Sequence, residues 1–546
     1  MRSKTLKNAA VSTLVGAALV TGVIMLAPGW EKKEAPPPAA GPAARALAAS
    51  DTGAPPSLAD LNVLIRDREK LVRGFPDDAL SWAQLGSAYV ERGTRLGRTD
   101  HYPKAERALR RSLRELPASK GNIDALVGLA ELANARHDFA GARGYAESAR
   151  KQKPKRWTVY PALIDAYHGL GKYGAAGKAM DKLLELHSGP QAQGREVTVY
   201  RNRGWREDAA ALAYGATANS RTPTERATAL HREGELAWER GEPEDAVGHY
   251  TDALKAVPEH YPSLVGRARA LAALDRTDEA LHDYEIALKN LPLPEYLLEA
   301  GELYESLGLN GDATTRYELL RKQVTRAGEH GVDGDLVLAR YEADHGDPAA
   351  AVRRMQGEWR RGHRSVEVAD TMGWALYKAG RPEDGLPFAK LANNQGVRSA
   401  LFSYHLGQIQ RTLGEYGAAR RNIDEALRTN PHFSPLLAPR ARAARESLGD
   451  PPLEGPADVM GEPWDTEESE SPSESPSASS SPSAPSPSPS ASSGPSAAAE
   501  KPTWSPAPVP SSAPASEPAT GSAAPAAARP APQVRPVLPS APATAG

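Results

Sequence analysis

The 546-residue chain contains no cysteine. That excludes disulfides, thiolate metal sites, a cysteine nucleophile and a lipidated cysteine, but it does not exclude an oxidising compartment. Net charge is scarce as well. Against 66 Lys and Arg stand 68 Asp and Glu, a balance of −2, which gives no electrostatic case for nucleic acid or an anionic membrane surface as the main partner. Phenylalanine is rare, with five in the chain beside 47 Gly and 48 Pro, and the Ala, Gly, Pro and Arg bias reads as that of a high-GC bacterial genome. Catalytic signatures are missing too. There is no G-x-x-x-x-G-K-[ST], no G-x-S-x-G, and no H-x-x-x-H among the 13 His. A G-x-G-x-x-G does occur at Gly169, Gly171 and Gly174, but it follows no strand and lies between two helical stretches. It is read as a turn with close packing rather than a dinucleotide loop.

Long apolar runs are absent except at the start. Arg2, Lys4 and Lys7 mark residues 1–8 as a basic, cytoplasmic N-terminus, and the uncharged stretch 9–28 follows. About 20 residues of helix span roughly 30 Å, the hydrocarbon thickness of a bilayer. The basic end is expected to stay inside and the bulk of the chain to cross. An uncleaved, single-pass anchor is favoured over a cleaved signal sequence, because Pro28-Gly29-Trp30 stands where a small-x-small site is expected. Cleavage would make the protein secreted. Residues 29–56 form a Pro/Ala-rich linker with too little apolar surface to pack.

From 57 to 448 the chain repeats itself. Leu230, Gly234, Ala246, Tyr250, Ala253 and Pro258 recur 34 residues on as Leu264, Ala268, Ala280, Tyr284, Ala287 and Pro292. Small residues at these offsets let two helices approach, large ones fill the gaps, and Pro258 stops the second helix. The spacing resembles the tetratricopeptide repeat, and Trp82-x-x-Leu85-Gly86-x-x-Tyr89 carries the same likeness. The pattern implies an all-α solenoid of about ten helix–turn–helix units from 79 to about 433. The resemblance implies a right-handed superhelix. Ser57 and Asp60 look like a capping box opening a half-repeat, and 435–448 a closing helix. In the first unit the second helix comes seven residues late, with the excess placed in 94–102. The stretch 188–194, rich in Gly, Gln and Pro, is a poor helix start and a candidate kink. Gly171, Gly204, Gly241, Gly308, Gly346, Gly380 and Gly414 are assigned to the turns within hairpins, where positive φ is needed.

Residues 449–546 turn acidic and then Ser/Pro/Ala-rich, with no periodic apolar face, and read as a disordered tail. The densest polar cluster is His330, Asp333, Asp335, Asp344, His345 and Asp347. Asp335 is expected to cap the helix that Asp344 and His345 end. Nine residues of helix hold those ends about 13 Å apart, too far for one metal sphere. No metal, cofactor or catalytic residue is assigned.

By the resemblance, the first helix of each hairpin lines a concave groove through the second, fifth, ninth and twelfth repeat positions. These include His231, Glu235, Trp238, Arg269, Glu302, Asp370, Trp374, Tyr377, Tyr404, Gln408 and Arg411. Aromatic and Arg side chains there suit protein recognition, although Trp238 and Trp374 would equally fill contacts between repeats. The Lys/Asn set that some family members use to clamp a C-terminal carboxylate is not found. The expectation is a non-enzymatic scaffold binding protein segments at a bacterial envelope. The alternatives are a binding module for cell-wall glycan or a small ligand, and an enzyme.

Overall fold

The computed structural model describes residues 41–449. The chain divides into two compact units, 1–461 and 462–546, and residues 41–449 belong to the first. The expected basic start, the 9–28 span and nearly all of the tail lie outside the described residues. Among the described residues no helix is long and apolar enough to cross a membrane.

Among the described residues there are 23 α-helices, with two short 3-10 turns and no strand. Helix α1 (Pro42–Thr52) and α2 (Leu58–Gly74) precede ten hairpins. These pair α3 (Ala79–Arg95) with α4 (Tyr102–Glu115), α5 (Ile123–Ala135) with α6 (Phe139–Gln152), and α7 (Val159–Gly169) with α8 (Tyr173–Leu186). Next come α9 (Pro190–Asn202) with α10 (Arg206–Ala218), α11 (Pro223–Glu239) with α12 (Pro243–Ala256), and α13 (Tyr261–Ala273) with α14 (Thr277–Asn290). The series ends with α15 (Pro294–Ser306) and α16 (Asn310–Gly328), α17 (Asp335–His345) and α18 (Pro348–Arg361), α19 (Val366–Lys378) and α20 (Pro382–Asn393), and α21 (Ala400–Thr412) and α22 (Tyr416–Thr429). Helix α23 (Leu437–Leu448) closes it.

The small and large residues of the repeat pack as their spacing requires. Tyr250 is 0 % exposed. Its ring lies where a Cβ on Gly234 or Gly266 would stand only 2.5 or 2.4 Å away, so only glycine lets α11 and α13 come this close to it. Leu109 occupies the same niche between Gly86 and Gly128, where an added Cβ would lie 2.5 Å away in each case. Each hairpin covers the apolar face of the next, so the core runs along the stack as linked clusters rather than one centre.

The stack also winds back onto itself. The turn inside each of the first five hairpins touches a loop between hairpins much later in the chain. Gly97 meets Leu291 and Leu293, Gly171 meets Arg364 and Ser365, Gly204 meets Gly396, and Gly241 meets Asn430 and Pro431. Polar bonds reinforce these contacts. The Val366 N–H donates to the Tyr173 hydroxyl (2.9 Å) across 193 residues. Asn430 Nδ2 donates to the Trp238 carbonyl (2.7 Å) across 192. His137 Nδ1 donates to the Asp333 carbonyl (2.7 Å) across 196, and the Asp333 N–H donates to the Arg136 carbonyl (2.9 Å). With a 34-residue repeat, one superhelical turn takes between five and six hairpins, and the second turn sits on the first.

Several local expectations change. Residues 42–52, assigned to the linker, form α1. Pro42 fits the first helical turn, the Ala-rich run favours helix, and Gly53 (φ 73) stops it. The 188–194 stretch does not break the stack, because Pro190 opens α9 at the position where a missing N–H costs nothing. Gly346 is not left-handed, with φ −140, whereas His137 (φ 61) and Asp275 (φ 58) take that conformation without glycine. Asp335 does not cap α17. Asp333 does so by accepting from the Asp335 N–H (2.9 Å). The late second helix of the first hairpin is accommodated by an α3 that runs to Arg95 and a 3-10 turn at Thr99–His101. Thr99 of that turn bonds His330 (2.8 Å) in a later loop.

Candidate site on the inner wall

The first helices of successive hairpins face the interior of the superhelix, and there they enclose a cavity of about 1070 Å³. Its walls come from α3, α5, α9, α11 and the starts of α13 and α15, with α1 and the segment after it at one side. Ser87 of α3, Asp124, Val127 and Glu131 of α5, and Thr228 and Arg232 of α11 are among the lining residues.

The charges in this wall are unevenly matched. Arg195 forms a two-pronged bond with Asp165 (3.0 and 2.6 Å), and Arg156 pairs with Asp124. Among the described residues Glu131 has no ion-pair partner. Glu131 is exposed, and the surface it exposes opens into the cavity with protein on the surrounding walls. Loss of bulk water, with the Glu91 carboxylate nearby, pushes its pKa up to about 7. Burial also raises Glu91, against the pull of Arg95 and Arg195. In the same cavity burial, with the charge of Arg195, lowers the Arg232 pKa to about 10. Burial and the neighbouring His231, Arg95 and Arg232 bring His260 down to about 3, so it is neutral at physiological pH.

The expected groove residues lie further along the same inner faces, and most are engaged with each other. Arg269 bridges Glu235 (3.3 Å) and Glu299 (3.1 Å) and lies over the Trp238 ring at 5.6 Å. Burial alone would raise the Glu235 pKa, but Arg269, His231 and the Tyr250 hydroxyl (2.6 Å) bring it to about 2. His231 packs edge-on against His260, with centroids 5.3 Å apart. Glu302 and Glu305 flank His345 at 3.6 and 3.1 Å, and despite burial they raise its pKa. Trp374 is 4 % exposed. Its indole N–H donates to Asp344 (3.0 Å), one face stacks on His405 (4.0 Å), and Tyr377 stacks beside it (4.9 Å). His405 in turn bonds Asp370 (2.9 Å), Tyr404 packs against Phe433 and Trp374, and Gln408 is buried. Arg411 donates to the Ser447 hydroxyl (3.0 Å) of α23. Asp370, Trp374, Tyr404 and Gln408 thus fill contacts between repeats, and Trp238 is nearly as buried.

The polar cluster of 330–347 disperses. His330 goes to Thr99, Asp344 to Trp374 and Lys378, His345 to Glu302 and Glu305, and Asp347 caps α18. Asp333 does meet Glu358 and His363, with ligand-type atoms within 4.8 Å of one another. The Arg361 guanidinium bonds Asp333 (2.7 Å), Asp335 (3.0 Å) and Glu358, so a divalent ion would have to share these carboxylates with a fixed positive charge.

Several cavity residues were within reach of the sequence. The same repeat offsets applied to the first two hairpins name Leu80, Ser87, Asp124, Val127 and Glu131, all of which line it. Arg195 and Arg232 fall outside those offsets and carry no sequence signal of their own.

Residues 231–292 match the tetratricopeptide repeat family. That match falls within the continuous stack of ten hairpins and supports a tetratricopeptide repeat protein. No curated protein matches it. Among solved structures it is similar to the Cut9–Hcn1 hetero-tetramer of APC/C, with 12% identity, 71% of this chain and 82% of that chain covered, and a TM-score of 0.38. A tetratricopeptide repeat protein from Parabacteroides merdae shows 17% identity over 48% of this chain and 99% of that chain, with a TM-score of 0.31. Human IFIT1, as a dimer with PPP-AAAA, shows 14% identity over 64% of this chain and 81% of that chain, with a TM-score of 0.40.

Proposed function

We propose that this protein is a non-enzymatic scaffold at a bacterial cell envelope, held there by its N-terminal segment, whose inner wall receives an extended segment of a protein partner. One observation carries the reading. The wall already receives main-chain carbonyls, because the chain's own Gly53–Ser57 lines the cavity, and the carbonyls of Thr52 at the end of α1 and of Pro56 beyond it are met by His187 and Arg95. A surface that receives main-chain carbonyls from one segment is chemically fit to receive them from another. Within the expected groove, His231, Glu235, Arg269 and Glu302 remain partly open to such a segment. The test is photo-crosslinking in intact cells from Thr228 and, as a control, from the exposed Lys151 on α6. Adducts to one partner segment from Thr228 alone are expected. Adducts from Lys151 alone would place recognition on the outer face and end this reading.

The second reading is a binding module for envelope glycan or a small ligand. It is favoured by Glu91 and Glu131 standing in the same cavity as Trp157, Tyr261 and Tyr296. Binding of the purified protein to isolated cell wall, lost in Glu131→Gln, would support it.

A further inference from the structure

The helix that sequence composition did not anticipate bears directly on the cavity. α1 is seated at one end against α2. Ala46 is fully buried, Ala43 and Leu47 pack on the cluster that includes Leu58 and Trp82, and Arg45 pairs with Asp60 (2.6 Å). Its other end lies four repeats away, where the Thr52 carbonyl accepts from His187 Nε2 (3.1 Å), 135 residues along the chain. His187 follows α8, and its ring stacks on Trp157 at 4.0 Å. Between these ends, Leu47, Ser50 and Asp51 look into the cavity. The chain then turns at Gly53 and runs past Arg95, which donates to the Pro56 carbonyl. α1 therefore runs along one side of the inner cavity from α2 to the corner between α8 and α9.

Within α1 itself only Ala46 is buried. An isolated helix of 11 residues is marginal in water. Its anchoring lies at its two ends, in the two-pronged Arg45–Asp60 pair at the first and in the Thr52 carbonyl on His187 followed by the buried Gly53, Ala54 and Pro56 at the second. The rest of the stack does not need it, since α2 already covers the first hairpin. We propose that α1 together with Gly53–Pro56 is a displaceable strap along the inner cavity, and that an incoming extended peptide replaces the Thr52 and Pro56 carbonyls on His187 and Arg95. This rests on the inner wall being the partner site, and it adds that access to that wall is controlled from within the chain.

The absence of cysteine makes the test direct. In the full-length protein, Thr228→Cys places a single thiol in the cavity wall, and Lys151→Cys places one on the exposed face of α6. The probe is a peptide carrying a maleimide. Releasing the strap by Ala46→Glu, which puts a charge into its buried seat, should speed labelling at position 228 by about tenfold. That is the factor for freeing an equilibrium held roughly ten to one closed. His187→Ala frees the far end without touching the seat, and it should act in the same direction should Ala46→Glu fail to fold. Labelling at position 151 should not change. Equal rates at position 228 with and without the strap substitutions would overturn the proposal. No partner is needed for this readout. Faster labelling without cellular crosslinks from Thr228 would count against the partner site alone, and crosslinks without faster labelling against the strap alone.

Discussion

Gly171→Ala tests whether the second superhelical turn is docked on the first. Gly171 has φ +66, and an added Cβ would lie 2.0 Å from the Arg364 carbonyl oxygen and 2.6 Å from its carbon. Ordinary van der Waals contact begins near 3.4 Å, so the two turns must part by more than an ångström. Gly308 provides the control. It has φ +74 in the equivalent turn of a later hairpin, with nothing within 4 Å of its added Cβ. Alanine at either position incurs the left-handed backbone cost of about 1–2 kcal/mol. Only at 171 does it add overpacking, about 1–3 kcal/mol. Repeat arrays open in pieces, so the readout has to be local. The Val366 N–H suits it. It opens α19 and donates across the turns to the Tyr173 hydroxyl. Amide exchange at Val366 should accelerate by roughly tenfold to a hundredfold in Gly171→Ala, following from 1.4 kcal/mol per factor of ten, and should hold in Gly308→Ala. Equal exchange in the two variants would refute the docking of successive turns.

Two other outcomes follow from the inner wall. Trp374→Ala should destabilise the last three hairpins by about 3–5 kcal/mol, because the indole is buried with its N–H bonded and its face stacked. Urea unfolding checks this, and a loss below 1 kcal/mol would restore Trp374 as a free recognition residue. Glu131→Gln should stabilise the protein in a pH-dependent way. The folded pKa of about 7 lies above the ordinary 4.5, so as pH rises from 4.5 the unfolded chain releases its proton first and folded stability falls until about pH 7. The melting temperatures of wild type and variant should coincide at low pH and separate across that window, the variant being higher. A constant gap at all pH values would mean that Glu131 titrates normally.

The sequence made the hairpins legible because their signal is redundant. Tyr250 and Tyr284 with their flanking alanines repeat the same packing problem 34 residues apart, and each solution vouches for the other. Residues whose role is set by distant chain were not legible. Gly171 reads as a turn glycine, and nothing near it reveals that Arg364 must approach. His137 adopts positive φ without being glycine, held by Asp333 far along the chain. For Trp374 the offset rule gives a face but does not choose between recognition and packing, because Asp344 and His405, which cover it beside Tyr377 of its own helix, come from the helices α17 and α21. α1 was missed because composition alone cannot show that one alanine, Ala46, finds a seat. The cavity emerges only when the first hairpins are closed into a ring by those same distant contacts.

An open row of hairpins behaves like an extended spring, in which each coil stretches without consulting the next. Five turn-to-loop docks make this one a spring compressed until its coils touch. Pulling its ends would meet almost no give until those docks yield, so the bore it offers has a fixed gauge.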